Sequence, residues 1–410
     1  MADIDRRRAG LLMREAGLDG LVLFQPEAFH YAVGAPSGVA TMWGRAGAAI
    51  ALVPEDEDRP VAAVVSDHAA GGIRRANPEA ELLTHRIWID MLDVTGVKHA
   101  AGIDEAYRRS GNAGPRPETF NRSEAFSRLY DLLNARGMTG ARLGADLEFM
   151  PAADFADLQA AVPGVTWVDG SQVLRRTRAV KTPAEIERLI RAGRAAEAGL
   201  VAMAGAIEPG ASLAALSLAW KTGAQAYAAQ NGFSLSGHWD YISVGPDLAD
   251  MAARVTSGAL IKADVGTLVG GYSSDGARTF THGRPSDLAL DIFMALEEAF
   301  LAGLGALKPG NLFRDVHAAA MAAMQKAGFQ EYARGHFGHS VGGSVGIEEW
   351  PFFSASNEEE ILPGMVVALE APFYGQGLGA LMIEDMFVVT QHGAECVNTL
   401  PRGLIDLSQR

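Results

Sequence analysis

Two apolar runs near the C-terminal end each carry a glutamate where a strand should be driest. Met365-Val-Val-Ala-Leu369-Glu370 and Leu381-Met-Ile383-Glu384 both read as buried strands, and alternation turns the acid inward with its apolar neighbours. A lone carboxylate taken out of water is costly, and it neutralises by a shift of its pKa. Several such carboxylates therefore imply paired charges or a bound cation, and the chain must fold so that these segments meet that counter-charge.

Further candidates lie upstream. Leu260 to Asp264 (LIKAD) places a carboxylate at the end of an apolar strand, and Gly270-Gly271-Tyr272-Ser273-Ser274-Asp275 places another eleven residues on. A hairpin would bring the two side by side, although aspartate beside glycine-rich turns also occurs for local reasons alone. Arg334-Gly-His336-Phe-Gly-His339-Ser-Val-Gly342-Gly343 sets two histidines in a glycine-rich loop. Imidazole there is either a metal ligand or a loop histidine satisfied by backbone carbonyls. The single cysteine, Cys396, rules out an internal disulfide and a thiolate cluster within one chain, so a metal site must use oxygen and imidazole donors. That donor set favours Mn, Co, Fe or Zn. Four carboxylates are formally balanced by two divalent ions, with a bridging hydroxide as the extra anion.

At 410 residues the chain is long enough for two domains. The first part alternates helix and strand signals in the manner of a layered α/β domain: a helix over Arg6–Ala16, strands over Gly20–Phe24, Ala48–Val53 and Val61–Val65, a helix over Ser123–Arg136, and strands over Arg142–Asp146 and Val165–Asp169. Thr182, Pro183 and Glu185 form a capping box with proline at the first helical position, so a long helix starts there and runs towards Ile207, where Pro209-Gly210 stops it. Helices over Leu213–Ala229, Leu288–Leu307 and Phe313–Ala327 follow, with strand and loop segments from Ile242 to Phe280 and from Arg334 to Thr390. No repeat with a period of 20 to 50 residues is visible.

A net charge of -14 argues against a nucleic-acid footprint, and the basic stretch Arg175, Arg176, Arg178, Lys181 reads as a solvated linker and helix start. No apolar run is long enough to span a bilayer, and the first twenty residues lack the apolar core of a signal peptide, so the expectation is a cytoplasmic protein.

With these residues in register, the chain resembles the pita-bread metallohydrolases, the creatinase, aminopeptidase P and prolidase (M24-type) family. The resemblance rests on Arg178-x-x-Lys181-x-x-x-Glu185-Ile186 and on Asp264-x-Gly266 with Gly271-Tyr272-x-Ser274-Asp275-x-x-Arg278-Thr279-Phe280. It continues through Gly338-His339-x-x-Gly342, Pro363-Gly364-Met365 ahead of Glu370, and Ile383-Glu384-Asp385. It implies an α/β fold class with a creatinase-like N-terminal α/β domain, 1–170, and a pita-bread (α+β) catalytic domain, 171–410. It also implies the ligand set Asp264, Asp275, His339, Glu370 and Glu384 for two divalent metal ions, Mn foremost, with Co, Zn or Fe as alternatives. Asp264 would chelate one ion, Asp275 and Glu384 would bridge, and His339 and Glu370 would hold the other. A bridging hydroxide would attack a carbonyl carbon, with Glu370 and His339 as the catalytic residues and Glu370 carrying the proton. The implied activity is hydrolysis of peptide or amide C–N bonds in a small-molecule or short-peptide substrate, Xaa-Pro peptidase-like, by a homodimer with no nucleic-acid or membrane partner.

The chain also departs from that pattern. Peptidase members carry a substrate histidine seven residues after the metal histidine, a position held here by Gly346, with Glu348 and Glu349 displaced by a small insertion. A second histidine expected before the first aspartate is absent, since Val244-Gly245-Pro246-Asp247 stands there, and His238 lies too early. Ala277 takes the place of a frequent threonine. These departures leave two further readings. One is a non-peptidase member acting on a small zwitterion, in the manner of a dimethylsulfoniopropionate lyase or ectoine hydrolase; the other is a non-catalytic binding protein. Trp239 and Tyr241, or Trp43 and Trp88, could offer a face for a cation, or could simply pack in the core.

Overall fold

The computed structural model describes residues 2–110, 114–343 and 346–408. The chain divides into two compact units, Met1–Arg178 and Ala179–Arg410.

The first unit is built on a mixed sheet of β1 (Gly20–Leu23), β2 (Ile50–Pro54), β3 (Ala62–Ser66), β4 (Glu81–His85), β5 (Arg142–Ala145) and β6 (Thr166–Asp169), in spatial order β4-β3-β2-β1-β5-β6. Its central strands are apolar throughout because both faces are covered. Leu21, Leu23, Ala51, Val53, Ala63 and Val65 pack in one core, with Leu12 and Met13 of the helix Arg6–Glu15. Val22, Ile50, Leu52, Ala62 and Val64 pack in another, with Phe126, Leu129 and Leu133 of the helix Arg122–Ala135. At the end of β5, Asp146 accepts N–H bonds from Phe24 at 2.9 Å and Gln25 at 2.8 Å, which ties the exit of β1 to that of β5. Burial pushes the Asp146 carboxyl up to about 7, against the pull of those N–H groups.

The second unit opens as its capping box requires. The helix Pro183–Ala204 starts with the Thr182 hydroxyl accepting from the Glu185 N–H and the Glu185 carboxylate accepting from the Thr182 N–H. It ends earlier than Pro209-Gly210, at Ala204, and a short loop carries the chain to the helix Leu213–Gln230. Ten strands follow: β7 (Gly237–Val244), β8 (Leu260–Val269), β9 (Tyr272–Ser273), β10 (Ala277–Thr281), β11 (His336–Ser340), β12 (Glu349–Ser354), β13 (Val366–Gly375), β14 (Gly379–Thr390), β15 (Gly393–Cys396) and β16 (Ile405–Asp406). They form a curled sheet in the order β12-β11-β13-β14-β10-β8-β7, antiparallel along that path, with β9, β15 and β16 attached at β8, β14 and β10.

Alternation gives this sheet a helix face and an opposite, open face, on which Val366, Ala368 and Met386 still pack with Leu189 of the helix Pro183–Ala204. On the helix face, Ile261, Ala263 and Val265 pack in one core with Leu200, Leu216 and Trp220, while Val367, Leu369, Leu381 and Ile383 pack in another with Leu296, Phe300, Phe313 and Val316. Each fully buried side chain of this kind contributes about 1.5–3 kcal/mol. The intervening residues, which include Asp264, Glu370 and Glu384, point the other way.

The unit follows one plan twice. A helix, a Pro-Gly turn, a second helix and three paired strands occur first as Pro183–Ala204, Pro209-Gly210, Leu213–Gln230 and β7-β8-β10. They occur again as Asp287–Ala306, Pro309-Gly310, Phe313–Lys326 and β11-β13-β14. Even the isolated bridges repeat, Ser212 with Arg254 and Leu312 with Glu360. The two half-sheets meet where β10 pairs β14, so β14-β13-β11 on one side of that junction corresponds to β10-β8-β7 on the other, with β12 added beyond β11. Among the described residues no helix is long and apolar enough to cross a membrane.

Candidate metal centre

Strand register assembles the site. On β7, β8, β10, β14 and β13, Tyr241 pairs Asp264, Asp264 pairs Ala277, Ala277 pairs Glu384, and Glu384 pairs Glu370. Directly opposed residues share a face, so three carboxylates line one row of the open face. The acids are mid-strand rather than terminal: β8, β13 and β14 run on past them, because the paired neighbours keep the backbone satisfied on both sides. Asp275 lies just ahead of β10, in a segment fixed to β8 by the Val265 N–H to the Gly276 carbonyl at 3.1 Å and the Ser274 N–H to the Thr267 carbonyl at 3.0 Å. His339 pairs Ala368 on β13.

Asp275, His339 and Glu384 each offer a ligand atom within 4.8 Å of the others, and all three are buried. His339 Nδ1 donates to the Ser340 carbonyl at 2.9 Å, which leaves Nε2 as the acceptor nitrogen, 3.5 Å from Asp275 Oδ2. Behind it, the Lys181 ammonium donates to Ser340 Oγ at 2.6 Å. Asp275 Oδ1 and Glu384 Oε2 are buried with no hydrogen-bond partner. Two orphaned carboxylate oxygens beside an imidazole with its lone pair turned inward are what a divalent cation would complete, so the residues fit the ion.

The electrostatics agree. Burial holds the Asp275 and Glu384 carboxyls well above the usual carboxylate range, and the neighbouring carboxylates push them further. Asp264 is also raised by burial, with Lys262 pulling against it. For Glu370 burial is outweighed, chiefly by the His336 hydrogen bond and the Arg334 charge, and its carboxyl falls below the ordinary value.

Three contacts at this centre are not foreshadowed by the motifs. Arg334 donates to Glu370 Oε1 at 2.7 Å, His336 Nδ1 lies 3.3 Å from the same oxygen, and Lys262 donates to Asp264 Oδ2 at 3.2 Å. The alternation in LIKAD, with Lys262 two residues before Asp264, is the signal that could have revealed the last. The departures have structural counterparts too. His238 turns to the helix face, where its ring lies 6.1 Å from Trp220, so it takes no part in the site. Near Gly346 the acid Glu348 brings Oε2 to 3.7 Å from His336 Nε2. Trp239 and Tyr241 stand together on the open face, 5.5 Å between ring centroids, with the Trp239 indole N–H donating to Ser273 Oγ at 2.9 Å. Gly266 leaves the space that the Trp239 ring fills. Trp43 and Trp88 lie edge to face on one another in the first unit, with Trp43 exposed at the surface rather than in the core.

A creatinase-type α/β unit joined to a curled antiparallel sheet with a buried Asp, His and Glu cluster defines the class of pita-bread metallohydrolases. The chain belongs to metallopeptidase family M24, whose family model matches residues 187–391, and the creatinase/prolidase N-terminal domain matches residues 6–180. It is 31% identical over 281 residues to a probable dipeptidase PepE of Mycobacterium tuberculosis, covering 66% of this chain and 73% of that protein. An Xaa-Pro dipeptidase of Lactobacillus helveticus is 29% identical over 247 residues, covering 60% and 67%. Among solved structures, an Xaa-Pro dipeptidase from Bacillus anthracis superposes with a TM-score of 0.75 at 21% identity, covering 98% of both chains. That likeness carries the fold.

Proposed function

We propose that this metallopeptidase cleaves the amide bond of short peptides of the Xaa-Pro dipeptide type, with Asp264, Asp275, His339, Glu370 and Glu384 as its metal-binding residues. The observation that carries the reading is the buried cluster of Asp275, His339 and Glu384, with ligand atoms within 4.8 Å of one another, in which Asp275 Oδ1 and Glu384 Oε2 have no hydrogen-bond partner. The oxygen-rich donor set suits manganese, with cobalt, zinc and iron as competitors. A divalent ion bound there supplies Lewis-acid polarisation of the scissile carbonyl and eases deprotonation of water. Glu370, its Oε1 held by Arg334 and His336, presents Oε2 to take a proton from the attacking water and return it to the leaving nitrogen. Trp239 and Tyr241 stand on the β7 side of the site, where Tyr241 is paired with Asp264 and both rings would bear on the substrate.

A second reading is favoured by one observation. Where peptidases of this family place a substrate histidine, the loop here offers Gly346 and brings Glu348 alongside His336. A missing hydrogen-bond partner for the reacting group costs on the order of 1–3 kcal/mol, or one to two decades in turnover. The acid also favours a substrate with a cationic group, so a small zwitterion competes with the dipeptide.

The test is a panel at matched metal loading: Xaa-Pro dipeptides, longer Xaa-Pro peptides, N-acyl amino acids and small zwitterions. Dipeptide turnover that is lost with metal in Asp275→Ala supports the peptidase reading. Full metal content and activity in that variant would sink the site assignment. Turnover of a zwitterion well above every dipeptide would replace the substrate with the second reading.

A further inference from the structure

The metal reading leaves one buried charge without a task. Lys262 lies on β8 two residues before Asp264, so alternation turns its side chain to the open face with the carboxylates. It is 6% exposed, its Nζ is 3.2 Å from Asp264 Oδ2, and it lies 5.9 Å from the centroid of the Tyr374 ring. An apolar residue there would spare the strand the burial of an ammonium, which must recover its hydration from whatever faces it, and here that is the carboxylate of Asp264.

The doubled plan of the sheet shows what that residue displaces. Asp264 and Glu370 are equivalent, each the open-face acid of the middle strand in its half. Two residues earlier stand Lys262 in one half and Ala368 in the other. The cross-strand partner of Ala368 is His339, whereas that of Lys262 is Ser243. One half therefore reaches over an alanine with a ligand imidazole, and the other fills the equivalent space with an ammonium group. The Ser243 hydroxyl beside it is buried with no hydrogen-bond partner, so it does not serve the lysine.

We propose that the Lys262 ammonium stands in for a second cation. The centre binds one divalent ion tightly through Asp275, His339 and Glu384, and a second ion reaches Asp264 only by displacing Lys262. The inference rests on the metal reading above. The charge balance follows the same division: Lys262 engages Asp264 and Arg334 engages Glu370, so of four carboxylates only two remain for an ion to neutralise. A divalent ion and an ammonium group held about 4 Å apart repel strongly even at an effective dielectric constant near 20, enough to separate two affinities by roughly 100-fold or more.

The experiment uses the full chain, stripped with chelator and titrated with manganese(II), in wild type, Lys262→Met and Lys262→Gln. Tight equivalents are counted by elemental analysis after gel filtration, and paramagnetic resonance separates isolated manganese from an exchange-coupled pair. Wild type is expected to hold one tight, uncoupled ion, and the uncharged variants two coupled ions, with the second bound at least about 100-fold more tightly than in wild type. Two equally tight, coupled ions in wild type would overturn the inference and leave the metal reading standing, as would folded variants that titrate like wild type. Should neither variant fold, the wild-type count decides alone. A wild-type chain that binds no ion overturns both readings together.

Discussion

Replacing Asp275 by asparagine should move stability in opposite directions with and without metal. The substitution keeps the shape of a side chain that is 4% exposed, but removes a charge facing Asp264 and Glu370 and an oxygen that has no partner. In metal-free protein that charge is a liability, because a buried and uncompensated polar group costs about 1–3 kcal/mol, and more when ionised. Asp275→Asn should therefore raise the melting temperature of the chelated protein by several degrees, given about 2–4 °C per kcal/mol for a unit of this size. With metal the order reverses. An ion that binds only the folded chain, at about 100 times its Kd, stabilises wild type by about 2.7 kcal/mol, and a variant that has lost the ligand gains almost none of it. Differential scanning calorimetry in chelator and in manganese(II) reads both arms. A variant less stable than wild type in chelator, or one with an undiminished metal-induced shift, would refute the electrostatic account of this cluster.

Glu370→Gln, compared with wild type at matched metal loading, should lower kcat by roughly 10²–10⁴-fold, the usual contribution of a general base; unchanged turnover at normal metal content would remove Glu370 from the proton path. In the first unit, burial pushes the Asp146 carboxyl from its ordinary 3.8 up to about 7, so the folded state holds an extra proton between those limits and stability falls as pH rises through that window, by about 4 kcal/mol in all. Asp146→Asn keeps an acceptor for Phe24 and Gln25 and should flatten the slope; urea midpoints that decline equally with pH in both proteins would show that Asp146 is not its source.

The proposed ligand residues are legible in the sequence because burial and charge conflict within a few residues: an acid inside Val366-Val-Ala-Leu-Glu370 has no local explanation. The helix start at Thr182 is legible for a similar reason, since a capping box is satisfied by its own four residues. What sets the charge of the centre is different. Arg334 and Glu370 are thirty-six residues apart, and the pairing exists only once β11 and β13 lie side by side. Lys262 sits in plain view beside Asp264, yet an isolated strand says nothing of which faces will be covered. The doubled plan is equally hidden, because backbone course and Pro-Gly turns recur while side chains do not. In the first unit, β4 escapes patterning since its sequence, Glu81–His85, is only partly covered at a sheet edge.

The junction between the half-sheets is thin. The ladder between β10 and β14 pairs only Ala277 with Glu384, and side chains do the rest: Thr279 Oγ exchanges bonds with the Met382 backbone, while Arg278 donates to the Ala277, Glu384, Leu400 and Pro401 carbonyls and to Asp385. Asp264 and Asp275 come from one side of that line, and His339, Glu370 and Glu384 from the other. On the proposed ligand set an ion would be gripped from both sides and would act as a rivet across the least laced seam of the sheet, so amide exchange along β10 and β14 should slow together when it binds. Ion affinity and the cohesion of the two halves are then one equilibrium, and any substitution that loosens the seam also loosens the ion.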